Sequence, residues 1–123
     1  MPFYEERGKI AILWFSLLIL IFAERSESMR ESDFQAKLIK ELKEMFPGCI
    51  VTKNETYIQG FPDLTIYYKD KWATLECKRS KGAIKQPNQE HYVGVMNEMS
   101  FSRFIYPENK EEVLHDLQRS FEV

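Results

Sequence analysis

The chain has 123 residues, which favours one compact domain. Apolar residues make up 44% of it and aromatic residues 14%, and this composition argues against a wholly disordered chain. The formal net charge is −2, so nucleic acid, if it is bound, must be held by a local patch or a metal. The two cysteines, Cys49 and Cys77, do not form a zinc-type cluster and are interpreted as free thiols in a reducing compartment.

Residues 10–23 form an uncharged apolar run, IAILWFSLLILIFA. A bilayer-spanning helix needs about 20 apolar residues, so the run is short for a span. Glu5, Glu6 and the poor cleavage site at residues 24–26 argue against an export signal. Three interpretations stay open: a membrane anchor, a buried or partner-binding helix, or translated upstream sequence outside the working protein. We favour the last, because a well-formed domain begins at Met29, and we divide the chain into a leader, residues 1–28, with a polar linker at residues 24–28, and a domain, residues 29–123.

The domain is predicted to begin with a helix and three strands. Ser32 with Gln35, or Ser28 with Glu31, is expected to form a capping box, and Pro47-Gly48 ends the helix. Strands follow at residues 49–52, 64–68 and 72–77, and Lys69-Asp70 predicts a tight hairpin between the last two. The apolar face of the helix consists of Phe34, Leu38, Ile39, Leu42, Met45 and Phe46.

The remaining chain predicts a helix, a strand and a last helix. Pro87 suits a first helical turn, residues 101–106 are β-prone, and Pro107 precedes the last helix. The whole order, α-β-β-β-α-β-α, predicts an α/β domain with a four-stranded mixed sheet flanked by helices. The predicted inward faces consist of Gln89, Tyr92, Val93, Met96 and Met99 in the first of these helices, and Val113, Leu114, Leu117 and Phe121 in the second.

A metal-binding or catalytic site is expected where the two hairpin strands end. Side chains alternate along a strand, so Glu76 and Lys78 share a face. A two-residue loop at Lys69-Asp70 places Asp63 opposite Glu76, where paired Cβ atoms lie about 4.5–5.5 Å apart. Two carboxylates at this distance repel each other unless a divalent cation bridges them, and Mg²⁺ prefers carboxylate oxygens as ligands. The alternative is an ordinary solvated strand face.

Gly60-Phe61-Pro62-Asp63 followed by Glu76-Cys77-Lys78 resembles the signature of the PD-(D/E)XK nuclease superfamily. The element order is similar to the restriction-endonuclease-like αβββαβ core of that superfamily. Residues 60–89 also resemble its VRR-NUC branch, which includes phage and repair nucleases related to Holliday-junction resolvases. The resemblance implies a Mg²⁺-dependent deoxyribonuclease that hydrolyses DNA phosphodiester bonds, with a preference for branched DNA and a role in repair or recombination.

The same resemblance implies the site residues. Asp63, Glu76 and the backbone carbonyl of Cys77 would ligate Mg²⁺ or Mn²⁺, and Lys78 would orient or activate the attacking water. Glu31 resembles a first-helix glutamate that joins such sites through water, the alternative being a capping or surface residue. Gln89 resembles a glutamine that helps to place the substrate or Lys78, the alternative being a helix cap.

Further expectations concern partners and location. Phosphate contacts are predicted for four basic residues, Lys53, Arg79, Lys81 and Lys85. A cytoplasmic location is expected. A homodimer is also expected, since related resolvases must cut two strands. A membrane contact is expected only if the leader belongs to the native protein. Two other functions stay open: a non-catalytic nucleic-acid-binding module on the same fold, and a membrane-tethered interaction protein.

Overall fold

The computed structural model describes residue 13, residues 15–18 and residues 30–122. The predictions for the linker at residues 24–28 and for a cap at Ser28 therefore lie outside the described residues, as does most of the leader. None of the helices that the structure describes is long and apolar enough to cross a membrane.

Three helices and four strands make up the described domain: α1 Glu31–Met45, β1 Ile50–Lys53, β2 Leu64–Tyr68, β3 Lys71–Cys77, α2 Pro87–Met99, β4 Phe101–Ile105 and α3 Lys110–Glu122. Strand β1 pairs with β2 and β2 with β3 in antiparallel fashion, whereas β3 and β4 are parallel, so the sheet is mixed and has the order β1-β2-β3-β4. This confirms the predicted α/β fold with a four-stranded mixed sheet flanked by helices.

The hairpin between β2 and β3 has the predicted register. Tyr68 pairs with Lys71, which leaves a two-residue loop, and Lys69 takes the left-handed conformation (φ 56°) that tight hairpin loops require. The ladder ends at the pair Leu64–Leu75. Asp63 therefore lies one residue beyond the paired part of β2, next to the end of β3.

The sheet carries helices on both faces. On one face, alternate residues of β2 and β3, such as Leu64 and Cys77, pack with α1 and α3 in one buried cluster. On the other face, Thr74 donates a hydrogen bond to Ser102 Oγ (2.8 Å) and contacts Met96 of α2. The predicted inward face of α3 is confirmed, because all four of its residues, Val113, Leu114, Leu117 and Phe121, are buried.

Several predicted details are wrong. Helix α1 begins at Glu31 with Arg30 at the N-cap and no side-chain cap, so Ser32 lies inside the first turn and cannot form the predicted capping box. Met99 is 68% exposed, because α2 ends there and the chain turns into β4. Strand β1 begins at Ile50 rather than at Cys49, and β4 ends at Ile105.

The loop before β2 is pinned against the start of α2 at Gly60. A Cβ atom on Gly60 would lie 2.5 Å from Asn88 Cβ and 2.9 Å from the backbone nitrogen of Gln89, well inside contact distance. Gly60 also has a φ of +87°, which side chains rarely adopt. Only glycine lets the residues that lead into Asp63 approach α2 this closely.

We expect Gly60→Ala to destabilise the protein by about 1–3 kcal/mol, since it adds both backbone strain and overlap with α2. Gly94→Ala is the matched control: Gly94 is inside α2, its added Cβ would meet nothing within 4 Å, and alanine is the better helix former. Chemical denaturation of both variants measures the difference. Equal stability of the two variants would contradict this account of Gly60.

Candidate functional site

The ends of β2 and β3 meet through the carboxylate of Asp63. Its Oδ2 atom accepts a hydrogen bond from the backbone N–H of Cys77 at 2.9 Å. This contact holds the carboxylate beside the last residues of β3, as the predicted register requires. The Cys77 thiol is buried in the core on the other face of the sheet.

Asn54 holds the segment that carries Asp63. Its Nδ2 atom donates to the carbonyl of Pro62 (2.9 Å) and to Thr65 Oγ1 (2.8 Å), and its backbone N–H donates to the carbonyl of Asp63 (2.7 Å). Asn54 thus positions Asp63 from the end of β1. Asn54 is not predicted from the sequence, because a single polar residue after a strand carries no signal of a contact formed eight or more positions away.

Glu76 is the most buried acid of the site, with 2% of its surface exposed. Its Oε1 atom accepts a hydrogen bond from Gln89 Nε2 at 3.1 Å. Its Oε2 atom is buried and has no hydrogen-bond partner among the described residues. Burial of a charged oxygen without a donor is costly, so the Glu76 carboxyl either carries a proton that it shares with the carboxylate of Asp63 or faces a cation that the protein itself does not supply.

Lys78 and Glu76 are joined through Gln89, the third residue of α2. Lys78 Nζ donates to Gln89 Oε1 at 2.7 Å, and the backbone N–H of Gln86 donates to the same oxygen at 3.0 Å. Gln86 in turn accepts from the Gln89 backbone, which completes a capping box. Gln89 therefore caps α2 and also contacts both Glu76 and Lys78, and its role in catalysis stays a prediction.

Glu31 at the start of α1 joins the two other acids. Carboxylate oxygens of Glu31, Asp63 and Glu76 lie within 4.8 Å of one another. Two oxygens that ligate the same Mg²⁺ ion lie at most about 4.2 Å apart, so the cluster is close to the spacing that one ion needs. All three donors are hard oxygens, which suit hard divalent cations such as Mg²⁺, Ca²⁺ or Mn²⁺ and not softer metals.

Burial and neighbouring charges raise the pKa of two of these acids, Glu76 and Glu31. Burial, and then the charge of Asp63, raise the pKa of Glu76 to about 8 from its usual 4.5. Burial and Asp63 also raise the pKa of Glu31, and Lys78 and Arg79 oppose this shift. A bound cation would remove the cost of holding these carboxylates ionised together, and with the unpartnered Glu76 Oε2 this makes the cluster fit a divalent metal. The Cys77 carbonyl stays a predicted ligand, since the contact described above involves its N–H.

The four predicted phosphate-binding residues are exposed and near the cluster in the chain. Lys53 ends β1 directly before Asn54, and Arg79 follows Lys78. The Lys81 backbone N–H donates to Glu108, and Lys85 Nζ lies 4.6 Å from the centre of the Phe104 ring. Within residues 30–122 the ion pairs are those of Lys71 and Lys110, so these four cations keep their charges available.

We expect the metal-free protein to lose stability as pH rises from 5 to 8. The raised pKa of Glu76 means that the folded state binds the proton of this carboxyl more tightly than the unfolded state does. The resulting contribution to the free energy of unfolding is complete below about pH 4.5 and is lost as the pH rises through about 8. The glutamine of Glu76→Gln cannot ionise, and its amide oxygen can still accept the hydrogen bond from Gln89. At pH 8 the free energy of unfolding of this variant should therefore exceed that of the wild type by at least about 1 kcal/mol.

Denaturation in EDTA at several pH values measures this difference. Glu98→Gln, at an exposed position of α2, is the control and should follow the wild type. A Glu76→Gln curve that falls in parallel with the wild-type curve would show that Glu76 does not carry the effect.

Sequence and structure comparisons do not assign the chain to a family. Neither the scan against protein-family models nor the searches of curated proteins and of solved structures find a match. The functional conclusion therefore depends on the geometry of the site and on the sequence resemblance.

Proposed function

We propose that the protein is a metal-dependent nuclease that hydrolyses DNA phosphodiester bonds. The observation that carries the proposal is the buried, unpartnered Oε2 atom of Glu76 in a cluster with two more carboxylates and beside an amine. Purely structural acids are normally paired or solvated, whereas acids that converge in a partly buried cluster are typical of metal sites.

Asp63 and Glu76 would hold Mg²⁺ or Mn²⁺ together with the Cys77 carbonyl, and Glu31 would complete the site through water. The ion would supply a Lewis acid that polarises the phosphodiester and lowers the pKa of a bound water. The protein contributes the fixed spacing of the acids, which the N–H of Cys77 sets for Asp63 and the amide of Gln89 sets for Glu76.

Lys78 would act on the water and on the phosphate. Its ammonium group has three N–H donors, of which one is engaged by Gln89, and within residues 30–122 no second acceptor is hydrogen-bonded to it. The other two donors can orient the attacking water and stabilise the negative charge that develops on the phosphate. Only 8% of the Lys78 surface is exposed, so its charge acts in a partly dehydrated setting.

The choice of DNA is supported by the four exposed cations and by the resemblance of the two motifs. Lys53, Arg79, Lys81 and Lys85 would contact phosphates on either side of the bond that is cut, and they would do so without regard to base sequence. The free thiols of Cys49 and Cys77 suit the cytoplasm. The proposal includes a homodimer, since each chain contributes one such centre and a duplex has two strands.

Loss of the proposed catalytic groups should abolish cleavage. We expect Asp63→Asn and Lys78→Gln each to lower the rate of Mg²⁺-dependent DNA cleavage by about 10²-fold or more, because each removes a group that acts on the reacting phosphate or its metal. Gel assays over linear, single-stranded, flap and four-way DNA measure the rates.

The hairpin at the other end of the same two strands provides matched controls. Lys69→Gln and Asp70→Asn make the same chemical changes at exposed positions and should cut like the wild type. If all four variants cut equally, the site is assigned wrongly. Tight DNA binding by the wild type without cleavage of any of these substrates would favour the non-catalytic alternative.

Metal binding should stabilise the protein. At a Mg²⁺ or Mn²⁺ concentration a hundred times the dissociation constant, the free energy of unfolding should rise by about 2.7 kcal/mol, because only the folded chain brings the three acids together. Thermal unfolding with and without metal measures this gain. Glu76→Gln should remove most of it, and a gain of the same size in Glu76→Gln and wild type would contradict the site.

A further inference from the structure

An open cleft of about 440 Å³ lies where the loop before β2 meets the start of α2. Its volume is in the range of about 300–1,000 Å³ that is common for sites that bind small organic groups. Gly60 and Asn88, which approach each other closely, both line it. The residues that line it are Gln59, Gly60, Gln86, Pro87, Asn88 and Gln89.

The lining is uncharged and rich in amides. The exposed side chains of Gln59 and Asn88 offer both donors and acceptors, and within residues 30–122 they form no hydrogen bond with other protein groups. Amide side chains of this kind pair with the edges of nucleobases. None of the described residues that line the cleft is a cation, so the lining does not favour a phosphate.

The helix start itself also disfavours an anion here. Pro87 has no N–H, and the N–H of Gln89 is already bonded to the side chain of Gln86 in the capping box. An anion site at a helix start depends on free N–H groups of the first turn. Among the described first-turn residues this leaves one donor, the N–H of Asn88, and the other polar groups of the cleft are mainly side-chain amides, which match a neutral heterocycle.

Gln89 connects this cleft to the acidic cluster, because it lines the one and contacts Glu76 and Lys78 in the other. A group bound in the cleft therefore lies next to the position where the proposed function puts the phosphate. Tyr57 is 98% exposed and precedes Gln59 by two residues, at most about 7 Å along the chain. Its ring is available to stack on a base near the cleft.

We propose that the cleft receives an unpaired base of the DNA strand that is cut, so that the enzyme selects DNA with unpaired nucleotides beside the scissile phosphate. This inference rests on the proposed function and specifies its substrate. A base inside an intact duplex cannot enter such a cleft without first being unstacked, which costs a few kcal/mol. A gap, flap or branch offers the base without that cost.

Binding without catalysis tests the inference. Fluorescence anisotropy in EDTA compares the full chain on an intact duplex and on the same duplex with a short single-stranded gap. We expect the wild type to bind the gapped DNA about tenfold more tightly. The double variant Gln59→Ala/Asn88→Ala should reduce this preference to within about twofold, and Tyr57→Ala should reduce it in part. Gln118→Ala, on the exposed side of α3, is the control and should keep the wild-type preference.

A double variant that is folded by thermal unfolding and still prefers gapped DNA tenfold would overturn the inference, as would a wild type without any preference. Free AMP that displaces the gapped DNA at micromolar concentration would also overturn it, since the site would then serve a nucleotide and not a strand. Cleavage with Mg²⁺ is measured separately. A wild type that cuts DNA without a preference for gaps would contradict only this inference and not the proposed nuclease activity. A binding preference for gapped DNA that depends on Gln59 and Asn88 would support base binding in the cleft even if no substrate is cut.

Discussion

The mutual repulsion of three carboxylates in a small, partly buried volume is the constraint around which this domain is organised. Two unit charges 4 Å apart repel by about 4 kcal/mol at the effective dielectric constant of a protein surface. Glu31, Asp63 and Glu76 nevertheless come from three separate elements and converge within 4.8 Å. Burial, and after it the charge of Asp63, raise the pKa of Glu76 to about 8 in the metal-free protein. A fold that maintains such a cluster loses stability unless a cation or a proton neutralises it, and this is the physical basis of the proposed metal site.

Gln89 is the residue that contacts both Glu76 and Lys78 and also lines the neighbouring cleft. A single amide accepts from Lys78 and from the N–H of Gln86, donates to Glu76, and lines the neighbouring cleft. The orientation of the lysine is therefore tied to the same helix start that borders the proposed base-binding cleft. Occupation of that cleft and the placement of Lys78 depend on one rigid element, and this arrangement would couple selection of the substrate to the chemistry.

Much of the fold could be predicted from local patterns. Apolar spacing located the three helices of the domain, and β-prone runs between turn residues located the four strands to within one or two residues at each end. The length of the hairpin loop was enough to derive the register, because in an antiparallel pair every later pair follows from the first. Helix caps were predicted less well: Ser32 matched a capping pattern, yet α1 already begins at Glu31 and Arg30 occupies the cap.

The sequence by itself determined the acid and lysine types, their alternation on β3 and the position of Asp63 opposite Glu76, since all of these depend on residues close together in the chain or across one short hairpin. Only the tertiary structure decided that Glu31 reaches the cluster, that Gln89 bridges Glu76 and Lys78, and that Asn54 and Gly60 position the loop that carries Asp63. These contacts join elements far apart in sequence, and their geometry follows from how the helices pack on the sheet, which no local pattern encodes.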